Sequence, residues 1–212
     1  MKQITRLVIQ QTNKDRVNVY LDGEFAFGLT LDEAVRLKVG QLLSDDDIAA
    51  LQEEDLYRKA YQRALDYLAR RPRSQKELER YLSKKEVADT HIERVCQRLV
   101  EVGFLDDLSF ARYWIENREA FRPRGAQALR YELRQKGVDE TIIAQALTSS
   151  EIDETDSAYQ VALKYLPRLQ KIQDPWQFQQ KLAAYLSRRG YNWDTIRCVS
   201  DRLKEDARND SS

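Results

Sequence analysis

The sequence has 212 residues, and its 35 lysines and arginines are balanced by 35 aspartates and glutamates. Seven glycines and four prolines are few for this length, which favours long helices over loop-rich or all-β folds. No apolar run approaches the ~20 residues that span a bilayer, and the amino terminus lacks the apolar core of a signal peptide, so we expect a cytoplasmic protein without a membrane segment.

The first 56 residues predict a small antiparallel sheet. Residues 4–9 are β-branched and apolar-rich, and residues 16–21 alternate polar and apolar side chains, as a half-buried strand does. Asp22-Gly23 fits a two-residue hairpin turn leading into a third strand at 24–28. Because so small a sheet is not stable alone, its apolar face must rest on a helix.

Two helix starts follow the sheet. Thr30 and Glu33 match a capping box that opens a short helix through Lys38, which Gly40 ends. Ser44 with the aspartates at 45–47 marks the second start, because carboxylates stabilise a helix N-terminus. The same three carboxylates could instead bind a cation, but a helix cap explains them more simply.

From residue 57 onward, a three-helix unit recurs about every fifty residues. Three passages align without gaps, at offsets of 51 and 53 residues, each with leucines four apart, a turn with a basic residue and a second helix. The aligned residues are Leu78, Leu82, Lys85, Glu86, Val87, Ile92 and Val95; Leu129, Leu133, Lys136, Gly137, Val138, Ile143 and Ala146; and Leu182, Leu186, Arg189, Gly190, Tyr191, Ile196 and Val199. An amphipathic helix precedes each passage, at residues 56–69, 108–121 and 156–166.

Helix caps agree with this division. Ser74 and Glu77 form a capping box for the second helix of the first repeat, and Asp107 can cap the first helix of the second. Asp174 stands before a proline at a first helical position. Since one such unit buries its apolar face poorly, stacked repeats are expected to share their cores.

We therefore predict a mainly α fold of three tandem three-helix repeats that form an elongated curved body, with a small N-terminal antiparallel β-hairpin and helix extension. The predicted segments are an extension at 1–56, repeats at 57–105, 106–150 and 151–204, and a frayed tail at 205–212.

Charge is distributed unevenly along these segments. Residues 1–56 carry a net charge of −5, residues 57–136 carry +7, and residues 137–212 carry −2. Zero net charge argues against a protein that coats DNA indiscriminately, but the basic middle suits an acidic or phosphate-bearing partner.

Arginines and lysines at the junctions between first and second helices are the candidate binding residues. The predicted partner-facing or nucleic-acid-facing residues are Arg70, Arg71, Arg73, Lys76, Arg118, Arg122, Arg124, Arg130, Arg134 and Lys136. Guanidinium groups near helix N-termini suit bidentate recognition of phosphate or carboxylate. The alternative is that these side chains solvate amphipathic helices and pair with Glu77, Glu79 or Glu132.

Aromatic side chains are a second candidate for nucleic-acid contact. Tyr113, Trp114, Trp176, Phe178, Tyr191 and Trp193 could stack on exposed bases. Helical spacing with other apolar positions favours core packing instead, and Tyr191 matches two valines of the other repeats.

Motifs for catalysis are missing from the sequence. No Gly-rich phosphate loop, metal-spaced cysteine pair or nucleophile beside a base is present, so we expect neither enzymatic activity nor a cofactor. Cys96 and Cys198 are expected to pack on helices as thiols. His91, the single histidine, is expected in a polar turn, which excludes a histidine triad and a multi-histidine metal site.

An ordered set of residues over two repeats resembles the RecX regulatory proteins of bacteria. The matching residues are Arg71-Pro72-Arg73-Ser74, Glu77-Leu78, Gly103-Phe104-Leu105-Asp106-Asp107, Phe110-Ala111, Trp114, Arg118, Gly125, Glu132-Leu133 and Lys136-Gly137-Val138. The resemblance covers about residues 57–203, and the head is similar to an extension that many members carry. Glu86 departs from the pattern, since it stands where Gly137 and Gly190 stand, so we expect the first repeat to close this turn differently.

The resemblance implies a modulator of the RecA recombinase in DNA repair, recombination and the SOS response. Such a protein lies along the groove of the RecA filament on single-stranded DNA, inhibits ATP hydrolysis and strand exchange, and promotes disassembly. We expect a monomer. The alternative is a helical module that binds DNA directly, and a scaffold for another protein is a third interpretation.

Overall fold

A computed structural model describes residues 1–209, and they form two compact units. One unit comprises residues 1–71 with 78–104, and the other comprises residues 72–77 with 105 onward. The strands are β1 Lys2–Ile9, β2 Arg16–Leu21, β3 Glu24–Thr30 and β4 Leu42–Leu43. The helices are α1 Leu31–Ala34, α2 Asp45–Leu68, α3 Gln75–Ser83, α4 Asp89–Glu101, α5 Asp107–Phe121, α6 Ala126–Gln135, α7 Glu140–Thr148, α8 Glu154–Leu163, α9 Pro175–Ser187 and α10 Trp193–Asn209. A mainly helical fold with a small N-terminal antiparallel sheet is confirmed.

The N-terminal sheet has the strand order β3-β2-β1-β4, and all its pairs are antiparallel. Asp22 and Gly23 both have positive φ, as the predicted hairpin turn requires. The short edge strand β4 is an addition to the prediction, since two residues carry no alternating pattern. Helix α1 ends at Ala34, four residues before the predicted end at Lys38.

Helix α2 covers the apolar face of this sheet, so the predicted helical support is confirmed. Ile48 and Leu51 pack against the buried sheet residues. Arg16 of β2 also pairs with Asp55 of α2, with 2.8 Å between Nη2 and Oδ1, and both side chains are largely buried. The ion pair and the apolar contact together fix the sheet on the helix.

The second predicted start, at Ser44, and the predicted helix at 56–69 belong to this one helix. Ser44 and Asp47 form a capping box, with 2.8 Å between the Ser44 nitrogen and Asp47 Oδ2. With 24 residues, α2 has a length of about 36 Å. It therefore crosses the predicted boundary at residue 56 and supplies the first helix of the first repeat.

Each repeat is built as the aligned leucines predict. Leu82, Leu133 and Leu186, at the same position of the three second helices, are fully buried. In the second unit, α5 to α7 enclose one apolar cluster and α8 to α10 enclose another. Three successive three-helix units are thus confirmed.

Several local predictions differ from the structure. His91 lies in α4 and is buried, with 3.2 Å between Nε2 and the Glu53 carbonyl oxygen, so the predicted polar turn is wrong. Cys96 is buried as expected, whereas Cys198 is exposed on α10. Helix α10 continues to Asn209, so the predicted tail is helical over 205–209, and its last three residues lie outside the described part. Among residues 1–209, none of the helices combines the length and hydrophobicity needed to cross a bilayer.

The turn after α3 closes as it does in the other repeats, which makes the expectation for Glu86 wrong. Glu86 has a φ of 59°, in the same left-handed region as Gly137 at 80° and Gly190 at 88°. The next residue in each case, such as Val87, donates its N–H back to the last buried leucine of the helix. Glu86 is exposed, so its side chain needs no space inside the protein.

Asp106, rather than Asp107, caps α5. Asp106 Oδ1 accepts from the Leu108 nitrogen at 2.8 Å, and Oδ2 accepts from Ser109 Oγ at 2.6 Å. Asp107 instead accepts the N–H of Gln75, the first residue of α3, at 2.8 Å. Adjacent carboxylates thus cap two different helices, which a single-helix pattern does not reveal.

We expect Asp106→Asn to weaken the pH dependence of stability in acid. The hydrogen bond from the Ser109 hydroxyl is the main cause that lowers the pKa of Asp106, and burial opposes it. A lowered pKa adds stability above the unfolded value of about 3.9, and this contribution is lost as the pH falls below it. The variant's melting temperature should therefore fall less than the wild type's between neutral pH and about pH 3. Glu116→Gln, an exposed change on the same helix, is the control, and parallel curves for wild type and Asp106→Asn would contradict the prediction.

Candidate partner-binding surface

The second unit contains two joints between consecutive repeats, and the first joint is made by side chains. Ser74, which opens α3, donates from Oγ to the Lys136 carbonyl oxygen at the end of α6, at 2.6 Å. Lys136 Nζ lies 3.0 Å from Glu77 Oε1, and both side chains are more than four-fifths buried. The Ser74–Glu77 capping box is confirmed and is also part of this joint.

Trp114 is the centre of an adjoining polar network. Its indole Nε1 donates to Glu132 Oε2 at 2.8 Å, and Arg118 Nε lies 2.6 Å from the same oxygen. The Lys136 ammonium lies 4.2 Å from the Trp114 ring centroid, and the Arg118 guanidinium lies 4.5 Å from it. Two of the predicted partner-facing cations thus enclose one tryptophan through cation–π contacts.

Arg118 and Lys136 therefore have internal partners in the structure. Their carboxylate partners, Glu132 and Glu77, are the ones that the alternative interpretation of the sequence named. Such half-buried pairs stabilise only when both partners are present, since removing one leaves a charge without compensation. Lys136 thus joins the second repeat to the first through Glu77, whereas Arg118 connects α5 and α6 inside the second repeat.

Arg130 and Arg134 share one carboxylate, as their four-residue spacing allows. Glu140 lies 3.0 Å from Arg130 Nε and 2.6 Å from Arg134 Nε. All three side chains are roughly half exposed. A pair of arginines around one glutamate retains net positive charge and accessible N–H groups that a phosphate could approach.

The remaining predicted residues lie at the junctions between first and second helices. Among the described residues, Arg70, Arg122 and Arg124 have no carboxylate within 4.0 Å, and Arg70 and Arg122 are exposed. Arg71 and Arg73 are half-buried, whereas Lys76 is exposed. Arg122 and Arg124 are therefore the best placed of the second unit's predicted residues to meet a partner.

The second joint is made by backbone groups instead. Gly125 donates its N–H to the Arg189 carbonyl oxygen at 3.0 Å, and Gln127 donates to that of Gly190 at 3.3 Å. A Cβ atom on Gly125 would lie closer than 3.0 Å to the Gly190 backbone, and one on Gly190 would collide with Ala128. Both glycines are thus required by the close approach of two main chains.

A carboxylate bridge accompanies each joint in the same position. Glu154, the first residue of α8, accepts the N–H of Ala126 at 2.8 Å, as Asp107 accepts that of Gln75. At the second joint, the Ser157 hydroxyl also lies 2.8 Å from Glu119 Oε2 and 3.1 Å from the Tyr191 hydroxyl. Burial is the main cause that raises the pKa of Tyr191, so this hydroxyl stays protonated in neutral solution.

The aromatic candidates divide into buried and exposed groups. Tyr191 is 2% exposed, and Trp114 and Phe178 are half-buried, as core packing predicts. Trp176 and Trp193, in contrast, are 65% and 70% exposed, so the core interpretation is wrong for them. Among the described residues, no group of three or more side chains is arranged to hold a metal ion.

Comparison with known proteins identifies the family. Models of the RecX first, second and third three-helix domains match residues 60–99, 106–147 and 151–199, and the regulatory protein RecX N-terminal domain matches residues 2–44. The chain belongs to the RecX family. Within that family, the Regulatory protein RecX of Bacillus licheniformis is 36% identical over 92% of this chain and 75% of its own. The Bacillus subtilis protein of the same name is 34% identical, over 96% of this chain and 78% of its own.

Solved RecX structures have the same fold. A crystal structure of regulatory protein RecX superposes with a TM-score of 0.80 at 28% identity, covering 95% of this chain and all of the other. RecX from Lactobacillus salivarius gives a TM-score of 0.66 at 22% identity, over 71% of this chain. The RecX three-helix models fall inside the predicted repeats at 57–105, 106–150 and 151–204.

On this RecX surface, the sequence indicated Glu77 and Glu132 as partners, but it did not indicate Glu140 or the exposed tryptophans. Glu140 is on the following helix, six positions after Arg134, so no helical spacing indicates that contact. Trp176 follows Asp174 and Pro175, which mark the start of α9 but do not indicate whether the tryptophan is exposed. Which carboxylate pairs with each lysine or arginine thus depends on the tertiary structure.

Proposed function

We propose that this chain modulates the RecA recombinase, chiefly as an inhibitor. In this proposal it binds along the groove of the RecA filament on single-stranded DNA, suppresses ATP hydrolysis and strand exchange, and promotes disassembly of the filament. It carries out no catalysis of its own and needs no cofactor. The observation that carries the proposal is membership of the RecX family over the extension and all three repeats.

The arrangement of charge supports binding to a nucleoprotein rather than to bare DNA. Residues 57–136 carry a net charge of +7, but Lys136 and Arg118 each pair with a glutamate, and Arg130 and Arg134 share Glu140. Paired cations contribute little to non-specific attraction of a polyanion. Unpaired arginines at a few junctions suit a partner that presents phosphate and carboxylate groups at defined places.

Titration of RecA's DNA-dependent ATPase tests the proposal. We expect suppression at ratios well below one chain per RecA protomer, since one chain that blocks the filament affects several protomers. Pre-assembled filaments and filaments assembled in the presence of the chain should both be assayed, which separates disassembly from blocked growth. Unchanged hydrolysis at equimolar protein would contradict the proposal.

Direct DNA binding is the second candidate function, and the exposed arginines favour it. Arg70 and Arg122 are exposed, and with Arg124 they lack a carboxylate partner within 4.0 Å among the described residues. A stand-alone DNA-binding module would bind naked duplex and single strands tightly, with a steep dependence on salt. Strong binding to the filament beside weak, salt-insensitive binding to naked DNA would eliminate this candidate.

A further inference from the structure

The third repeat carries a groove with two exposed tryptophans. It lies between α9 and α10, has a volume of about 640 Å³ and includes Trp176 and Trp193 in its lining. Buried Ile196 forms part of its floor. Single exposed apolar residues are ordinary, but two large indoles along one groove form a patch of the kind that marks a binding site.

The helices fix the backbone at both tryptophans. Trp176 is in the first turn of α9, where its N–H donates to the capping carboxylate of Asp174 at 3.0 Å. Trp193 opens α10, whose first turn is capped by Asn192 through a 2.8 Å bond from the Thr195 nitrogen. Because both tryptophans sit on capped first turns, little backbone ordering is left to occur when a ligand binds.

The polar part of the lining favours an anionic ligand with hydrogen-bonding edges. Gln179 and Gln180 offer amide donors and acceptors, and Arg197 is exposed and offers a guanidinium. None of the lining residues carries a carboxylate, although exposed Asp194 follows Trp193 outside the lining. Flat aromatic faces, amides and one arginine match single-stranded nucleic acid, whose bases stack and whose phosphates pair with arginine.

We infer that the groove between α9 and α10 binds single-stranded DNA directly, with bases stacked on Trp176 and Trp193 and a backbone phosphate at Arg197. Any base can stack on an indole, so the site distinguishes single strands from duplex DNA and does not recognise a particular base sequence. Duplex DNA is excluded, because its bases are already stacked on one another. This inference concerns naked DNA and does not depend on the proposed action on RecA.

The test measures binding of the full chain to an oligothymidylate in the absence of RecA. Binding is monitored by the quenching of tryptophan fluorescence and by the fluorescence anisotropy of a labelled strand. Trp176→Ala and Trp193→Ala should each weaken binding about 5- to 100-fold, as loss of one base–aromatic stack does. Trp176→Phe should retain most of the affinity, because phenylalanine keeps an aromatic face. Arg197→Ala should lower the slope of log affinity against log salt by about 0.7, the value for one phosphate on a single strand.

Two controls distinguish stacking from general attraction. Phe104→Ala removes another exposed aromatic side chain, in the first unit, and should leave binding unchanged. An abasic strand of equal length keeps the phosphates and lacks the bases, so it should bind much more weakly than the thymidylate. Trp114 is bonded to Glu132 and serves as a constant fluorescence background in the variants.

Three results would overturn the inference. One is equal thymidylate affinity of the wild type and the double variant of Trp176 and Trp193. Another is equal affinity for the thymidylate and the abasic strand. The third is unchanged DNA binding by the double variant together with weaker inhibition of RecA, which would assign the groove to a protein segment.

Discussion

Gly190→Ala is expected to lower the free energy of unfolding by about 3 kcal/mol, the sum of a left-handed backbone penalty and the cost of overpacking. The glycine has a φ of 88°, and an added Cβ would lie closer than 3.0 Å to the Ala128 backbone. Backbone atoms cannot move aside as the end of a flexible side chain can. We therefore expect the second and third repeats to separate before the rest of the second unit unfolds.

Gly103→Ala supplies the matched control. Gly103 also follows a helix in the left-handed conformation, with a φ of 75°, and an added Cβ there would meet nothing within 4 Å. Its cost should be the backbone penalty alone, about 1 kcal/mol. Denaturant unfolding followed by circular dichroism measures both variants, and equal destabilisation by the two would show that the joint has room for a side chain.

Under the proposed inhibition of RecA, reversing the charge of Arg122 and Arg124 together is expected to raise the concentration needed to suppress its ATPase about tenfold. Neither arginine has a carboxylate within 4.0 Å among the described residues, so the double change should leave the melting temperature nearly unchanged. A loss of function without a loss of stability would identify a contact with the partner. The effect should shrink at high salt, because exposed charges are screened.

A second double reversal, at Lys164 and Lys171, controls for net charge. Both lysines are exposed on the third repeat, outside the predicted set. The two double variants have the same total charge, so only the position of the change differs. Equal loss of inhibition by both would mean that overall charge, and not the junction arginines, determines binding.

The repeat architecture could be predicted from the sequence because it depends on residues that each helix buries by itself. Leucines four apart define one face of a helix, and capping residues such as Ser74 and Asp174 mark its start without help from tertiary structure. A helix that serves two parts of the fold is harder to predict. Ser44 and the apolar pattern at 56–69 predict two separate helices, since nothing local shows that α2 serves both the sheet and the first repeat.

The behaviour of Glu86 shows what a glycine pattern does and does not indicate. All three turns adopt the left-handed conformation, so that conformation alone does not demand glycine. Gly137 and Gly190 are needed because an earlier repeat approaches them, at Lys76 and Ala128. The first repeat has no preceding three-helix unit, and Glu86 extends into solvent.

From the sequence, the candidate binding site could be predicted only as a set of lysines and arginines, without their partners or their exposure. Lys136 and Arg122 look alike in sequence, yet one is more than four-fifths buried beside Glu77 and the other is exposed. The difference comes from partners more than fifty residues away, as the Lys136–Glu77 bond shows. Long side chains with a cation can serve either use, so their role follows from the fold.

The second helix of each repeat makes one contact, with the first helix or the turn just after it, that differs between the repeats. In the first repeat, Tyr67 and Tyr81 stack with 4.0 Å between ring centroids, and in the third repeat Tyr165 and Tyr185 stack at 3.7 Å. The aligned pair in the second repeat is the ion pair between Arg118 and Glu132.

Because these pairs differ between adjacent repeats, the first helix of one repeat fits poorly against the second helix of the next. During folding, if the first helix of the first repeat met the second helix of the second repeat, the Tyr67 ring would face the Glu132 carboxylate, and both the ring stack and the ion pair would be lost. Tandem units of similar sequence are prone to exchange such helices within a chain or between chains. Alternating aromatic and ionic pairs thus favour the correct pairing inside each repeat and oppose a swapped one.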